Sequence, residues 1–259
     1  MNHAVARAVG YYLPSAAAIL LLLFAWQFLV VWLGVKQFIL PTPLAALESL
    51  FDPKYRWGYN FLVTTAAIVG GFVISAALGI ALAVAVVWNS VLERTILPIL
   101  VLFNTLPKIA LAPLFVIWLG YGIWPNIAIA VTVAFFPVVI NTAAGLASVE
   151  PELLDLVRVL KASKWKVFTK IRFPNALPHI FTGLKLNATL AVIGAIVGEF
   201  VASEAGLGAI IVGGGVTLDT PAIFASLLLI SFLGLGFYGL VVAAERLATP
   251  WEFRPAAGK

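Results

Sequence analysis

Lys108, Lys185 and Glu199 are the charges that lie well inside long apolar runs, with Asn104, Asn141 and Asn187 as polar company. An enzyme site would need a nucleophile within reach of its base, or paired carboxylates at one depth. Two lysines and one glutamate suit a polar pathway lining, or a structural pair in which one lysine meets Glu199, because charge in lipid faces a cavity or a partner. No GxxxxGK[ST] phosphate loop, HExxH or GxSxG occurs. Nucleotide hydrolysis by the usual machinery is therefore excluded, and no catalytic residue is assigned. With no cysteine, and only His3 and His179, the chain offers neither a thiolate nor a histidine metal cluster.

A second concentration of charge has a different character. Asp155, Arg158, Lys161, Lys164, Lys166, Lys170 and Arg172 crowd into "LDLVRVLKASKWKVFTKIRFPNALP" (Leu154–Pro178), in a chain only 10% charged. Charges every two or three positions keep this stretch out of a bilayer. It reads as two short helices. In the first, Glu152, Asp155, Arg158 and Lys161 recur every three residues and leave Leu153, Leu156, Val157 and Leu160 on the opposite side. Ser163 is placed to N-cap the second, with Trp165, Phe168 and Ile171 as its apolar stripe, before Pro174 and Pro178 redirect the chain. A solvated loop has no need of leucines at helical spacing, so this face must be buried against the chain's own helices or against a partner.

The elements that position these residues follow from composition. The hydrophobic set makes up 63% of 259 residues, and the mean hydropathy is +1.08, against roughly 45–50% apolar residues in soluble domains. The chain is read as an all-α integral membrane protein with six spans of about 20 residues or more. They run from about Leu13 to Val35, Phe61 to Trp88, Thr95 to Leu119, Ile123 to Ala147, Pro178 to Val201 and Pro221 to Leu247. The first is too long for a secretory h-region and lacks a small-residue cleavage pattern, so it is read as a retained helix. A net charge of +5 in such a chain points to anionic lipid rather than to nucleic acid.

Six spans place both termini on one side. If that side is cytoplasmic, it holds Arg7, Arg94, Arg158, Lys161, Lys164, Lys166, Lys170, Arg172, Arg246, Arg254 and Lys259, and the outside holds only Lys36, Lys54 and Arg56. The positive-inside rule then makes both ends and the basic stretch cytoplasmic. Residues 36–60 become an outer connector with a short amphipathic run after Pro41 and Pro43, anchored by Trp57 and the tyrosines. The glycine-rich outer segment from Ala202 to Thr220 is expected to be a flexible loop that covers or lines a pathway mouth. In the third span Pro98, Pro107 and Pro113 predict a kinked helix with Lys108 at the break.

The basic stretch resembles the EAA loop of ATP-binding-cassette importer permeases, whose pattern is E-A-A, three residues, G, nine residues, then I-x-L-P. Asp155, Leu156 and Val157 stand for E-A-A, Lys161 for the glycine, and Ile171, Phe173 and Pro174 for I-x-L-P. The flanks "NTAAGLASVEPELLDLVRVLKASKWKVF" and "PNALPHIFTGLKLNATLAVIGAIVGEFVASEAGLGAII", with "LPKIALAPLFVIWLGYG" in the third span, resemble the nitrate/sulfonate/taurine branch of that superfamily. The resemblance covers roughly residues 40 to 250 and implies one transmembrane permease domain over residues 1–259, its core at about 60–250.

What the resemblance implies is a type I importer permease in the plasma (inner) membrane. Two copies of the permease are expected, with two cytoplasmic ABC ATPase subunits and an external solute-binding protein. No cofactor sits on this chain, ATP and Mg belonging to the ATPase. Asp155, Leu156, Val157, Arg158, Leu160, Lys161, Ala162 and Ser163 would form the helix that enters an ATPase groove, and Asn104, Lys108, Lys185, Asn187 and Glu199 would line the pathway. Cationic lining favours a small anionic or carbonyl-bearing solute. Lys161 in the glycine position is expected to displace the turn after the docking helix, since a side chain there is strained at positive φ. An ATP-independent channel or a membrane scaffold is the rival reading, separated from the first by co-purification of an ATPase.

Overall fold

The computed structural model describes residues 2–251, so Arg254 and Lys259 of the charge count lie outside the described residues, as does the side chain of Arg7. Eleven α-helices follow one another among them: α1 (Asn2–Trp32), α2 (Pro43–Ser49), α3 (Trp57–Trp88), α4 (Ser90–Thr105), α5 (Ala112–Leu119), α6 (Ile123–Ala147), α7 (Pro151–Val159), α8 (Lys164–Val167), α9 (Phe173–Ala202), α10 (Leu207–Thr217) and α11 (Thr220–Ala248). Among the described residues five continuous stretches are long and apolar enough to cross a bilayer: Leu13–Trp32, Pro53–Trp88, Ile123–Ala147, Lys164–Val201 and Thr220–Ala248. The pair Arg94–Thr105 and Lys108–Leu119 makes a sixth only as a broken span, bent by 83°.

That bend is much larger than the kink expected for a single third helix. Leu106, held before a proline, leaves the helical region at φ −67 and ψ 139. Pro107 then offers no N–H, and Lys108–Leu111 resumes as a 3-10 turn before α5. The other two prolines do not break the chain. Pro98 is tolerated inside α4, and Pro113 lies in the first turn of α5, where its missing N–H has no intrahelical partner to lose.

The chain falls into two compact units, residues 1–57 with 210–228, and residues 58–209 with 229–259. In the first, α1 leaves Leu20, Leu21, Leu22 and Phe24 exposed, as a lipid-facing helix does. Trp26 packs on Phe224 at 5.4 Å between ring centroids, and the Gln27 carboxamide accepts from the Leu44 N–H at 3.3 Å. Thr42 caps α2 by accepting from the Ala45 N–H, and the Trp57 indole donates to the Ser49 carbonyl at 2.9 Å. The Tyr55 hydroxyl donates to the Asp219 carboxylate, and the Thr220 hydroxyl donates to the Phe38 carbonyl at 2.6 Å.

The second unit is built on α3, α6 and α9. Its core is formed of small residues, with Ala67, Ala130, Ala134, Ala191 and Ala195 among Ile68, Ile127, Val192 and Leu233. In lipid, helices associate by close backbone packing rather than by a hydrophobic gain, which favours such residues. Ala130 shows how tight the packing is. A Cβ on Gly71 of α3 would fall on Ala130 Cβ, and one on Gly194 of α9 would stand 2.6 Å from Ala130 Cα. A second cluster of Leu146, Ala176 and Ile180 closes one end of the unit, with Val84, Val87 and Phe168 against it.

Two connectors differ from expectation. The glycine-rich segment expected outside is not simply a loop, because residues 207–217 form α10. The start of that helix is fixed by side chains from elsewhere in the second unit, as described below. Pro174 and Pro178 do not redirect the chain either, since α8 runs through a π-helical turn (Phe168–Arg172) directly into α9. In that turn the Phe173 N–H reaches back five residues to the Phe168 carbonyl. The wider turn gives the Pro174 ring room where a regular helix would clash with a carbonyl.

Candidate functional site

Helix α7 begins with Pro151 in its first turn, has Glu152 at its N-terminal end and Arg158 at its C-terminal end, so charge and macrodipole agree. It presents two faces. Leu154 and Val157 turn inward and line a cavity, while Leu156, Val159 and Leu160 are 55%, 79% and 69% exposed. The exposed apolar stripe therefore runs i, i+3, i+4 and includes Val159, which the sequence reading passed over, while Val157 belongs to the inner face. Val159 could have been found from its spacing to Leu156. Asp155 and Arg158 pair across one turn at 2.9 Å, both largely exposed, and such a pair adds a few tenths of a kcal/mol.

The turn after α7 has not been displaced by the lysine. Lys161 sits at φ +52, in the left-handed region a glycine would take. The Ala162 N–H donates to the Val157 carbonyl and the Lys161 N–H to the Arg158 carbonyl, both at 3.0 Å. These are the two bonds of a Schellman cap, which satisfy carbonyls that the helix end would otherwise orphan. Left-handed geometry costs a non-glycine residue roughly 1 kcal/mol. Ser163 then accepts from the Lys166 N–H at 3.4 Å and starts α8. Beyond it Trp165, Phe168 and Trp88 form an aromatic group, with Trp88 to Phe168 at 5.1 Å and Trp165 to Phe168 at 5.9 Å.

The five polar residues expected to line a pathway fall into separate groups. Lys108 Nζ donates to Asn104 Oδ1 at 2.7 Å and to the Asn104 carbonyl at 3.1 Å, both exposed. An ammonium there covers a carbonyl freed where α4 ends, at the negative end of the helix dipole. Asn187 is fully buried and its Oδ1 accepts from the Ser75 hydroxyl at 3.0 Å. Asn141, nearby in sequence terms to none of these, donates to the Pro137 carbonyl of its own helix.

Lys185 and Glu199 are not each other's partners. They stand 14 residues apart on α9, about 21 Å at 1.5 Å per residue. Lys185 Nζ instead donates to both carboxylate oxygens of Glu245 on α11, at 2.9 and 3.0 Å. Their side chains are 24% and 11% exposed, so the pair is largely removed from water. Glu245, next to Arg246 in the last turns of α11, is the functional candidate that the sequence reading missed. A lone carboxylate inside an apolar helix was its signal.

Glu199 is 1% exposed. Its Oε1 accepts from the Thr64 hydroxyl at 2.7 Å and its Oε2 from the Gly208 N–H at 2.7 Å. The Thr64 oxygen in turn accepts from the Leu207 N–H at 2.8 Å, and Asn60 Oδ1 accepts from the Gly206 N–H at 2.6 Å. Three consecutive N–H groups at the start of α10 are thereby satisfied by α3 and α9. Gly206 has φ +115, and a Cβ there would fall on the Glu199 carboxylate. The corner admits only glycine.

Against proteins of known sequence and structure, residues 75–249 match the family model described as binding-protein-dependent transport system inner membrane component. The chain is 35% identical over 234 residues to the formylaminopyrimidine transport permease protein ThiX of Halalkalibacterium halodurans, covering 90% of this chain and 93% of that one. It is 33% identical to the riboflavin transport system permease protein RibX of Chloroflexus aurantiacus, covering 90% and 88%. The nitrate import permease protein NrtB of Synechocystis is 28% identical, covering 92% and 89%. The fold resembles that of the MetNI methionine ABC transporter in an inward-facing conformation, with TM-score 0.53 and 21% identity, over 71% of this chain and 92% of that one. With its helices broken and capped as described, the chain belongs to the inner-membrane components of binding-protein-dependent transport systems, as an ABC importer permease of the nitrate/sulfonate/taurine branch.

Proposed function

We propose that this permease is driven through α7 by an ATPase carried on a separate chain, and that it passes a small anionic or carbonyl-bearing solute into the cytoplasm. The observation that carries the reading is the stripe of Leu156, Val159 and Leu160, left exposed on a short helix whose other side, at Leu154 and Val157, faces a cavity of its own unit. An amphipathic helix offering i, i+3, i+4 anchors is the form that enters a groove on a partner. Asp155, Arg158, Lys161, Ala162 and Ser163 hold the helix and its closing turn in place. Two copies of the permease, two ATPase subunits and an external binding protein complete the assembly. Both termini and α7 face the cytoplasm, where the basic residues cluster.

Asn104 and Lys108 are the foremost pathway candidates, because a broken span with exposed polar groups is a feature of helices beside water-filled cavities. Lys185, Asn187 and Glu199 are engaged by Glu245, Ser75 and the start of α10, and so shape the path from behind rather than line it. Relatives named for formylaminopyrimidine, riboflavin and nitrate transport agree with a carbonyl-bearing or anionic solute.

The test is co-purification with the ATPase and solute-stimulated ATP turnover in Leu156→Asp and Asp155→Lys. Leu156→Asp places a carboxylate at the centre of the stripe and should lower ATPase recovery by about tenfold or more, as the loss of an interface anchor does. Wild-type recovery and turnover in both variants would remove α7 from the mechanism.

A further inference from the structure

The inner face of α7 closes a cavity that the proposed coupling role leaves unused. It is open and about 430 Å³ in volume, between the end of α3 and the start of the long α8–α9 helix, a size at which ligand pockets begin. Val84, Val87 and Trp88 form one wall, and Arg158, Lys164 and Arg172 supply three cations. Among the described residues no carboxylate lines it. Arg158 is engaged by Asp155, whereas Lys164 and Arg172 have no anionic partner among the described residues. An excess of positive charge therefore faces a partly apolar space.

The position of that space selects its occupant. Trp88 ends the apolar run of α3 and meets Phe168, with Trp165 beside them. Such aromatic groups settle at the level of lipid headgroups, apolar on one side and wet on the other. Val84 and Val87 belong to the stretch Pro53–Trp88, which is long and apolar enough to cross a bilayer. Arginine can hold a phosphate through two parallel N–H bonds, and lysine adds a point charge. We infer that this cavity binds the phosphodiester headgroup of an anionic phospholipid, with an acyl chain lying along Val84 and Val87. Such a lipid would tie the inner face of α7 to α3 while the outer face stays free for a partner.

Native mass spectrometry of the full-length chain in detergent tests this directly, with dioleoylphosphatidylglycerol, dioleoylphosphatidylcholine and glycerol 3-phosphate as separate probes. Phosphatidylglycerol should be retained at least fivefold over phosphatidylcholine, and glycerol 3-phosphate should not displace it. Arg172→Gln and Lys164→Gln should each lower retention about fivefold, the effect expected of one basic residue near an anionic lipid surface. Lys170→Gln, on the same segment but outside the lining, should leave it unchanged. Thermal unfolding of the same samples confirms that each variant is folded. Equal retention of the two lipids, wild-type retention in Arg172→Gln with Lys164→Gln, or an equal loss in Lys170→Gln would overturn the proposal. Displacement by glycerol 3-phosphate would overturn the lipid in favour of a free phosphate site.

Discussion

The α7 segment and the Glu199 corner are both helix ends, and they are finished in opposite ways. At the end of α7 the backbone caps itself, through bonds from Lys161 and Ala162 to carbonyls within the same helix. At the start of α10 the caps come from Asn60, Thr64 and Glu199, the first two more than 140 residues away in sequence. The self-capped helix closes on its own bonds and leaves Leu156, Val159 and Leu160 exposed. The cross-capped one exists only when its neighbours are in place. One end leaves an apolar face uncovered, and the other ties α3, α9 and residues 206–208 together.

The comparison breaks most severely at Gly206. Alanine there would have to keep φ +115 and place its Cβ on the Glu199 carboxylate. Backbone strain of 1–3 kcal/mol, added to the collision or to a displaced buried carboxylate, gives a loss of about 4 kcal/mol. Unfolding by dodecyl sulfate titration should show it without any partner present. A near-wild-type midpoint would mean that the corner is not cross-capped as described.

The Lys185–Glu245 pair tests the same internal kind of contact with a different chemistry. Lys185→Met strands a carboxylate that is mostly out of water and should cost about 3 kcal/mol. Adding Glu245→Leu removes the stranded charge, so the double variant should be more stable than the single one. If the two losses simply add, the residues are not coupled, and Lys185 is free to serve the pathway.

Leu156→Asp should behave in the opposite sense to both. Its side chain is 55% exposed, so the isolated permease should unfold within about 0.5 kcal/mol of wild type while ATPase recovery falls. If it destabilised the isolated chain as Gly206→Ala does, α7 would be an internal element after all.

What could be read from the sequence divides along the same line. The α7 helix, the Ser163 cap and the stripe through Leu156 and Leu160 depend on neighbours within a few residues, and spacing reports them. The spans depend on composition alone. By contrast, α10 contains Gly213, Gly214 and Gly215, so local propensity argues against it, and it forms because Glu199 and Thr64 satisfy its first N–H groups. The Lys185–Glu245 pair joins residues 60 apart, and no periodicity connects them. Pro107 announced a break, but its 83° size depends on Leu106 turning extended and on Lys108 covering the freed carbonyl. Pro174 pointed to a change of direction, and the π-helical turn before it absorbed the ring instead.

The smallest effect belongs to Lys161, and it is the most specific to the self-capped end. Its φ of +52 is what the glycine of the EAA pattern would adopt freely, so Lys161→Gly relieves roughly 1 kcal/mol of left-handed strain. Glycine also gains freedom in the unfolded chain, which returns part of that. The net should be a stabilisation of a few tenths of a kcal/mol, with ATPase recovery unchanged because the turn is already where glycine would put it. Lys161→Val should instead destabilise by about 1 kcal/mol or more, since a β-branched side chain resists positive φ more strongly. Unfolding midpoints of the two variants, taken together with ATPase recovery, check both. If glycine lowered the midpoint as well, the ammonium of Lys161 rather than its backbone would be holding the turn.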